Sequence, residues 1–494
     1  MQYKLVQFFI VSSIIFPILS VIVRYLQHDL IIDSKNNFDS FFYNSDAIFY
    51  SLVSKDIIIN NGKLFDWIFA AAPEFFPTML ITYLISFFVD NYFYSQIIFI
   101  IVQFLIFNYL MYKVMSTFTE PIFSLFTIAL INILIIFLFN VEPFNYMFVA
   151  SHHIGSFLGV LLTLFIFYSS KVQTKYRISM IYMLVFSLTF SNPLFIGHLV
   201  IPLLTASIII DLVYKRDDSR NLYVTFIVAF IAYSIKRVTF YHDKDCSQCM
   251  STYAHVDELT MSLSVFINSL YHIKEFYVSH SNTIQNIFVF IFVFLALLYL
   301  INVFILKRNY SSYDKQALHF YLFILFSFGT THLSFLLTTP NIHWRYMNNI
   351  YLFPFLIVPI FLYPYIKVKL DKLFPIYISL FLLSSILSVS AVDFSKKLNN
   401  LYYPDDIDFI DKTLEKYEMH HGISSWWYAN RLVFLSKRRV SMIPCHNIKP
   451  LHWDTKSDWL TKPPEFIINL DPKKIGYTYS KLIENEKIKI YIIS

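Results

Sequence analysis

About 70 residues separate the first apolar stretch of this chain, Leu5 to Val23, from the second, and they are too polar and too broken to be buried in lipid. They carry acids, aromatics and one short apolar run, Phe75 to Phe88. Within them stands Asn44-Ser45-Asp46-Ala47-Ile48-Phe49-Tyr50, an acid beside an aromatic edge. Later connections are mostly short, and a polar tail of about 100 residues closes the sequence. Such a layout favours chemistry at a membrane surface over conduction through a pore.

Composition agrees with a polytopic membrane protein: 56% of residues are hydrophobic, 19% aromatic and only 15% charged. The formal charge of +6 resides largely in short loops, where it reports orientation and gives no sign of nucleic-acid binding. Residues 5–23 lack a small-x-small cleavage site and end at Arg24, so they are expected to be an uncleaved span. Three cysteines make no disulfide framework. Cys246 and Cys249 form a Cys-Ser-Gln-Cys pair without the second pair a zinc site would need.

Apolar windows predict spans at 5–23, 93–112, 121–140, 152–170, 178–190, 194–213, 222–236, 284–306, 317–337, 346–366 and 372–391. The run 75–88 has the length of a re-entrant or interfacial helix. Charge decides whether it counts. If it spans, Lys171, Lys175, Arg177, Lys215, Arg216, Arg220, Lys307, Arg308, Lys315, Lys367, Lys369 and Lys372 all fall outside. Demoted, it leaves them inside with Lys4 and Lys113, as the positive-inside rule requires. The expected fold is therefore mainly α: eleven spans plus a re-entrant helix over 1–391, with a large first extracytoplasmic loop, 24–92. An extracytoplasmic α/β domain, 392–494, follows. The N-terminus is inside, and no internal repeat of the kind common in secondary transporters is evident.

Polar candidates gather on the outer face. Asp46 heads a segment whose Leu52, Val53, Ile57 and Ile58 fit one side of a helix lying on the membrane. It is either a helix-capping acid or a base that accepts a proton at the surface. Glu74, at the start of the re-entrant run, is either a helix-dipole acid or a substrate contact. His152 and His153 open a span from outside and suit a phosphate, a metal or a simple cap. Asn192, with His198 one turn beyond, marks another outer boundary. In the segment His343-Trp344-Arg345-Tyr346, the Arg345 guanidinium suits bidentate phosphate binding or snorkelling to headgroups, and His343 could assist.

In the tail, residues 405–419 are expected to be helical, with strands at 439–443, 466–470 and 488–493. Trp427, Tyr428, Asn430 and Arg431 lie between them with Trp426, and His452-Trp453 and Asp458-Trp459 follow. Aromatics with polar neighbours suit sugar-ring stacking or a buried structural core.

Taken together, these pieces resemble the GT-C superfamily of membrane glycosyltransferases. The likeness is greatest to the branch with protein mannosyltransferases and lipid A aminoarabinose transferases. It is carried by Asp46 to Tyr50, Pro73 to Tyr83, His153 to Leu162, Ser191 to Phe195, Arg345-Tyr346 and Trp427 to Ser436. The resemblance implies that Asp46 is catalytic and that transfer inverts the sugar. It also implies a polyprenyl-phosphate sugar donor, with a glycan, lipid or protein as acceptor, in a bacterial inner membrane. Glu74, His152, His153, Asn192, His343, Arg345 and Tyr346 would bind substrate, and the tail aromatics would serve the acceptor. Asn192 stands where an acid is expected, so a second carboxylate is missing there. No cofactor is fixed by the sequence, and a divalent metal stays open. A lipid-linked glycan flippase or a non-catalytic envelope assembly protein are the alternatives; His198, His319 and His332 are the span residues a transport path would draw on.

Overall fold

Proline, asparagine and apolar runs set the helix boundaries of the computed structural model. It describes residues 2–27, 45–70, 72–139, 141, 144–150, 154–169, 173–214, 220–240, 312–337, 346–363, 374–390, 392, 395, 403–446, 449–451 and 455–494, with scattered residues between 270 and 298. The chain is mainly helical. Helix α1 (Gln2–Leu26) is followed by α2 (Ser45–Ile59), the short strand β1 (Trp67–Ile68) and α3 (Leu80–Phe88), which a π-helical turn, Phe75–Met79, introduces. Then come α4 (Tyr92–Met115), α5 (Pro121–Phe137), α6 (Ile154–Tyr168), α7 (Thr174–Ser191), α8 (Ile201–Tyr214) and α9 (Arg220–Phe240). The later helices are α10 (Ser312–Leu337), α11 (Asn348–Leu352), α12 (Pro354–Leu362) and α13 (Phe374–Ser390).

Local chemistry accounts for several ends. The Asn91 side chain accepts from Phe93 N at 3.0 Å and caps α4. Pro121 stands at the first position of α5, where its missing N–H costs nothing. Pro354 begins α12 and splits the predicted span 346–366 into two short helices.

Among the described residues, four helices are long and apolar enough to cross a membrane: Tyr92–Met115, Ile196–Tyr214, Leu222–Thr239 and Lys315–Ser334. Shorter apolar helices stand at most of the other predicted spans, including Val11–Leu26, Pro121–Phe137 and Ile154–Tyr168. The predicted span 284–306 lies largely outside the described residues. Phe88, Val238, Leu212 and Met183 face outward, largely uncovered by protein, as side chains bathed in hydrocarbon would be.

Residues 403–494 form a separate α/β layer. Helix α14 (Asp405–Lys416) precedes β2 (His421–Ser425), α15 (Trp426–Leu435), β3 (Ser441–His446), β4 (Lys449–Pro450), β5 (Thr455–Lys456) and α16 (Ser457–Thr461). Strands β6 (Phe466–Ile468), β7 (Tyr479–Glu484) and β8 (Lys489–Ile493) complete it. The six-stranded sheet has the order β4-β3-β2-β6-β8-β7, with β3, β2 and β6 parallel and the outer pairs antiparallel. Ile407, Ile410 and Leu414 of α14 and Leu432 of α15 pack with Met442, Phe466 and Ile490 to form its core. A Cβ on Gly422 would collide with the Phe466 ring, so the close approach of β2 and β6 requires glycine there.

Helix α2 does not expose a polar side to solvent above a membrane, because every residue from Ala47 to Ser54 is buried. The reason is that α15 of the tail covers the side that α3 and α4 leave open.

Candidate functional site

The acid singled out in the first loop lies at the seam between the helical layer and the tail. Asp46 is the second residue of α2 and is half-buried. Its neighbour Ser45 fixes that end of the helix: Ser45 Oγ lies 2.8 and 2.7 Å from the carbonyl oxygens of Trp426 and Trp427 and donates its single proton to the pair. On the other side, Ala47 and Ser51 share a cavity of about 10 Å³ with Gln96 and Phe148, Val149 and Ala150. Gln103 Nε2 donates to the carbonyls of Met147 and Val149 at 2.8 and 2.9 Å, holding the segment that leads into His152 and His153. Those two histidines themselves lie outside the described residues, as do His343 and Arg345.

A second seam joins Glu74 to Asn192. The Glu74 carboxyl is buried, and its backbone is left-handed at φ 47°, which is uncommon outside glycine. Glu74 N donates to Ser191 O at 3.1 Å, Phe76 N donates to Ser191 Oγ at 2.9 Å, and Thr78 Oγ1 donates to Glu74 Oε2 at 3.2 Å. Asn192, also buried, accepts from Leu194 N at 3.1 Å. Gly155, in the first turn of α6, packs on Pro77 and Thr78 so closely that a Cβ would overlap the Thr78 hydroxyl. Glu74 and Asn192, candidates from two sequence segments, therefore share one neighbourhood, with Gly155 of α6 packed against it.

That neighbourhood extends inward. Ser327 Oγ donates to His198 O at 3.0 Å, and Asn349 Nδ2 donates to Ser327 Oγ at 2.7 Å and Thr331 Oγ1 at 3.1 Å. These bonds tie α11, just after Tyr346, to the helix that follows Asn192. Tyr346 is half-buried. His319 is held between Tyr168 Oη at 2.7 Å and Ser207 Oγ at 2.6 Å. His332 meets Tyr277 Oη at 2.7 Å and Phe328 O at 2.8 Å. An apolar cleft of about 410 Å³ opens beside Glu74, lined by Ile57, Leu64, Phe75, Met79, Leu80, Tyr83 and Phe190.

Of the tail candidates, only Trp427 is exposed, at 41%. Tyr428, Asn430 and Arg431 are buried. Arg431 Nη1 donates to Asp406 Oδ2 at 2.8 Å and Tyr428 Oη donates to the same oxygen at 2.5 Å, so these two side chains build the tail's interior. Burial, followed by the Asp406 charge, drives the Tyr428 hydroxyl well above its ordinary pKa of 10.0. His452 and Trp453 lie outside the described residues.

Sequence reasoning missed Asp56. Its Oδ2 accepts from Trp67 Nε1 at 2.9 Å and from Lys456 Nζ at 3.0 Å, and Asn60 Nδ2 lies 3.4 Å from Oδ1. Strand β1 pairs antiparallel with β5 in the register Trp67 to Lys456, and the Trp67 and Trp459 rings meet edge to face at 5.5 Å. An acid next to Lys55 in the last apolar turns of α2 was the available signal, but its partner lies 400 residues away. Nearby, Lys55 Nζ reaches Phe434 O at 3.4 Å, and burial holds its pKa below the ordinary 10.5.

Among the described residues, no three His, Cys, Asp or Glu side chains cluster as a metal site would require. The sequence matches no family model and no curated protein.

Proposed function

We propose that this chain is an inverting membrane glycosyltransferase of the GT-C type, working on the outer face of a bacterial inner membrane. In this reading eleven spans hold residues 1–391 in the membrane with the N-terminus inside. The tail from 392 stands outside, against the first loop. The donor is a polyprenyl-phosphate sugar and the acceptor a hydroxyl of a glycan, lipid or protein.

The acceptor oxygen attacks the anomeric carbon while Asp46 takes its proton. The carbon–oxygen bond to phosphate breaks, and the polyprenyl phosphate leaves with the electron pair. A phosphate leaving group needs no protonating acid, so one carboxylate suffices, unlike the pair used in glycoside hydrolysis. The positive charge that must steady the departing phosphate is assigned by sequence to Arg345, with His152, His153 and His343. The apolar cleft beside Glu74 offers a dry wall for a prenyl chain.

The observation that carries the reading is the position of Asp46. It lies half-buried where the first loop, the segment leading to His152 and the tail converge. Transport is less well supported, because His319 and His332 have both ring nitrogens engaged within the protein.

The test is the surface glycan of cells carrying Asp46→Asn, with the variant's membrane level measured alongside. Loss of a general base costs about 10²- to 10⁴-fold in rate. An unchanged glycan with normal protein level would make Asp46 a structural acid and end the proposal.

A further inference from the structure

We infer that Trp427 is a saccharide-stacking platform on the acceptor side of the site, an assignment that rests on the transferase reading and extends it to the tail. Most of the large aromatics of α15 and its surroundings are enclosed, and Trp427 is the exception at 41% exposure. Trp426 braces it, the two rings meeting at 4.3 Å with an interplanar angle of 60°. Beneath it the helix is stiff: Ser45 Oγ binds the carbonyls of Trp426 and Trp427, and one turn on Arg431 is locked to Asp406. A rigid, exposed indole loses little freedom when a ring stacks on it, which suits the apolar face of a sugar.

Position gives the platform its role. Ser45 is the chain neighbour of Asp46, and its hydroxyl is 2.7 Å from Trp427 O. The carboxylate that would take the acceptor proton and the indole thus rise from adjoining positions on two packed helices. On this proposal a saccharide stacked on Trp427 presents a hydroxyl to Asp46.

An exposed tryptophan also suits a membrane interface, but the surroundings here disfavour lipid. Trp426 Nε1 and Asn430 Nδ2, on the same helix, are buried donors with no acceptor among the described residues. The same helix carries Arg431 and packs on α2, which begins Ser45-Asp46, a setting too polar for hydrocarbon.

The experiment uses the full chain in nanodiscs on a printed array of defined oligosaccharides. Wild type and Asp46→Asn should both retain one saccharide class. Trp427→Leu, which keeps apolar bulk without a π face, should bind about three- to tenfold more weakly, and Trp427→Phe should recover most of the loss. Hydrogen exchange across β2 and β3 checks that each variant's tail is folded. Equal binding by Trp427→Leu, or no saccharide retained by wild type, overturns the platform. So does quenching of Trp427 by brominated lipid, seen as a difference from Trp427→Phe, which would place the ring in the bilayer. If array binding depends on Trp427 while no variant affects the surface glycan, the platform stands and the transferase reading falls.

Discussion

Removing the ammonium of Lys456 should loosen the tail from the first loop without unfolding either. Lys456→Met keeps an unbranched stem against the Trp67 ring and deletes the charge 3.0 Å from Asp56 Oδ2. The two side chains are 14% and 12% exposed, so the pair falls between two limits. Exposed pairs are worth about 0–1 kcal/mol, and breaking a buried one costs about 3–5 kcal/mol. Asp56 keeps the Trp67 donor at 2.9 Å, which limits the damage to one charge-assisted bond, about 1.5–3 kcal/mol. The assay is hydrogen exchange at the β1–β5 amides of the full chain in nanodiscs, since those amides are protected only while the tail is docked. Exchange should quicken about ten- to hundredfold, while β2 and β3 keep their protection. Asp56→Asn should act similarly, and the double variant should lose little more than either single one. Losses that simply add would refute the coupling, and with it the idea that this pair fastens the two layers.

Three further outcomes follow from other contacts. Arg431→Met strands the Asp406 carboxylate beside Tyr428 and should destabilise the tail by about 3–5 kcal/mol, measured as exchange of the β2 and β6 amides. Gly155→Val should lower the folded yield in membranes, because the added atoms overlap Thr78 and Pro77, while Gly329→Ala, with nothing near its Cβ, should not. His421 lies buried against Ser441 Oγ at 2.7 Å, and burial is the main cause that pulls its pKa below 6.5. The unfolded chain then takes up a proton that the folded tail resists, so tail stability should fall as pH drops below 6.5. A His421→Gln tail whose β2–β3 exchange keeps the same pH dependence would reject this.

Legibility in the sequence followed the range of the interaction. Apolar runs place helices at most of the predicted spans, and the charge pattern singles out 75–88, where the chain does form a short helix after a strained Glu74. The helix 405–416 and the strands 466–468 and 489–493 follow from local pattern as expected. Strand β2 does not, because His421-Gly422-Ile423-Ser424-Ser425 has no apolar alternation. It is set instead by Gly422 under the Phe466 ring and by Ser424 Oγ donating to Ile468 O at 3.2 Å. Nor does helix α15, whose aromatic run Trp426-Trp427-Tyr428 has strand-like propensity that packing on α2 overrides. At the candidate site, Asp46, Glu74 and Asn192 were legible as polar residues at apolar boundaries. Asp56 was not, because nothing local announces a partner so distant.

That distance has a consequence for how the molecule is made. Asp56 and Lys456 are 400 positions apart, so at a synthesis rate of about 5–20 residues per second the acid waits about 20–80 s for its cation. For all of that interval Trp67, and for most of it Ser45, also lack the tail segments they bind in the finished protein. The half-buried acid at the seam is therefore assembled only when the ribosome has passed the tail. A chain stopped before Trp426 would carry Asp46 in an unfinished pocket, and one stopped before Lys456 would leave Asp56 without its cation.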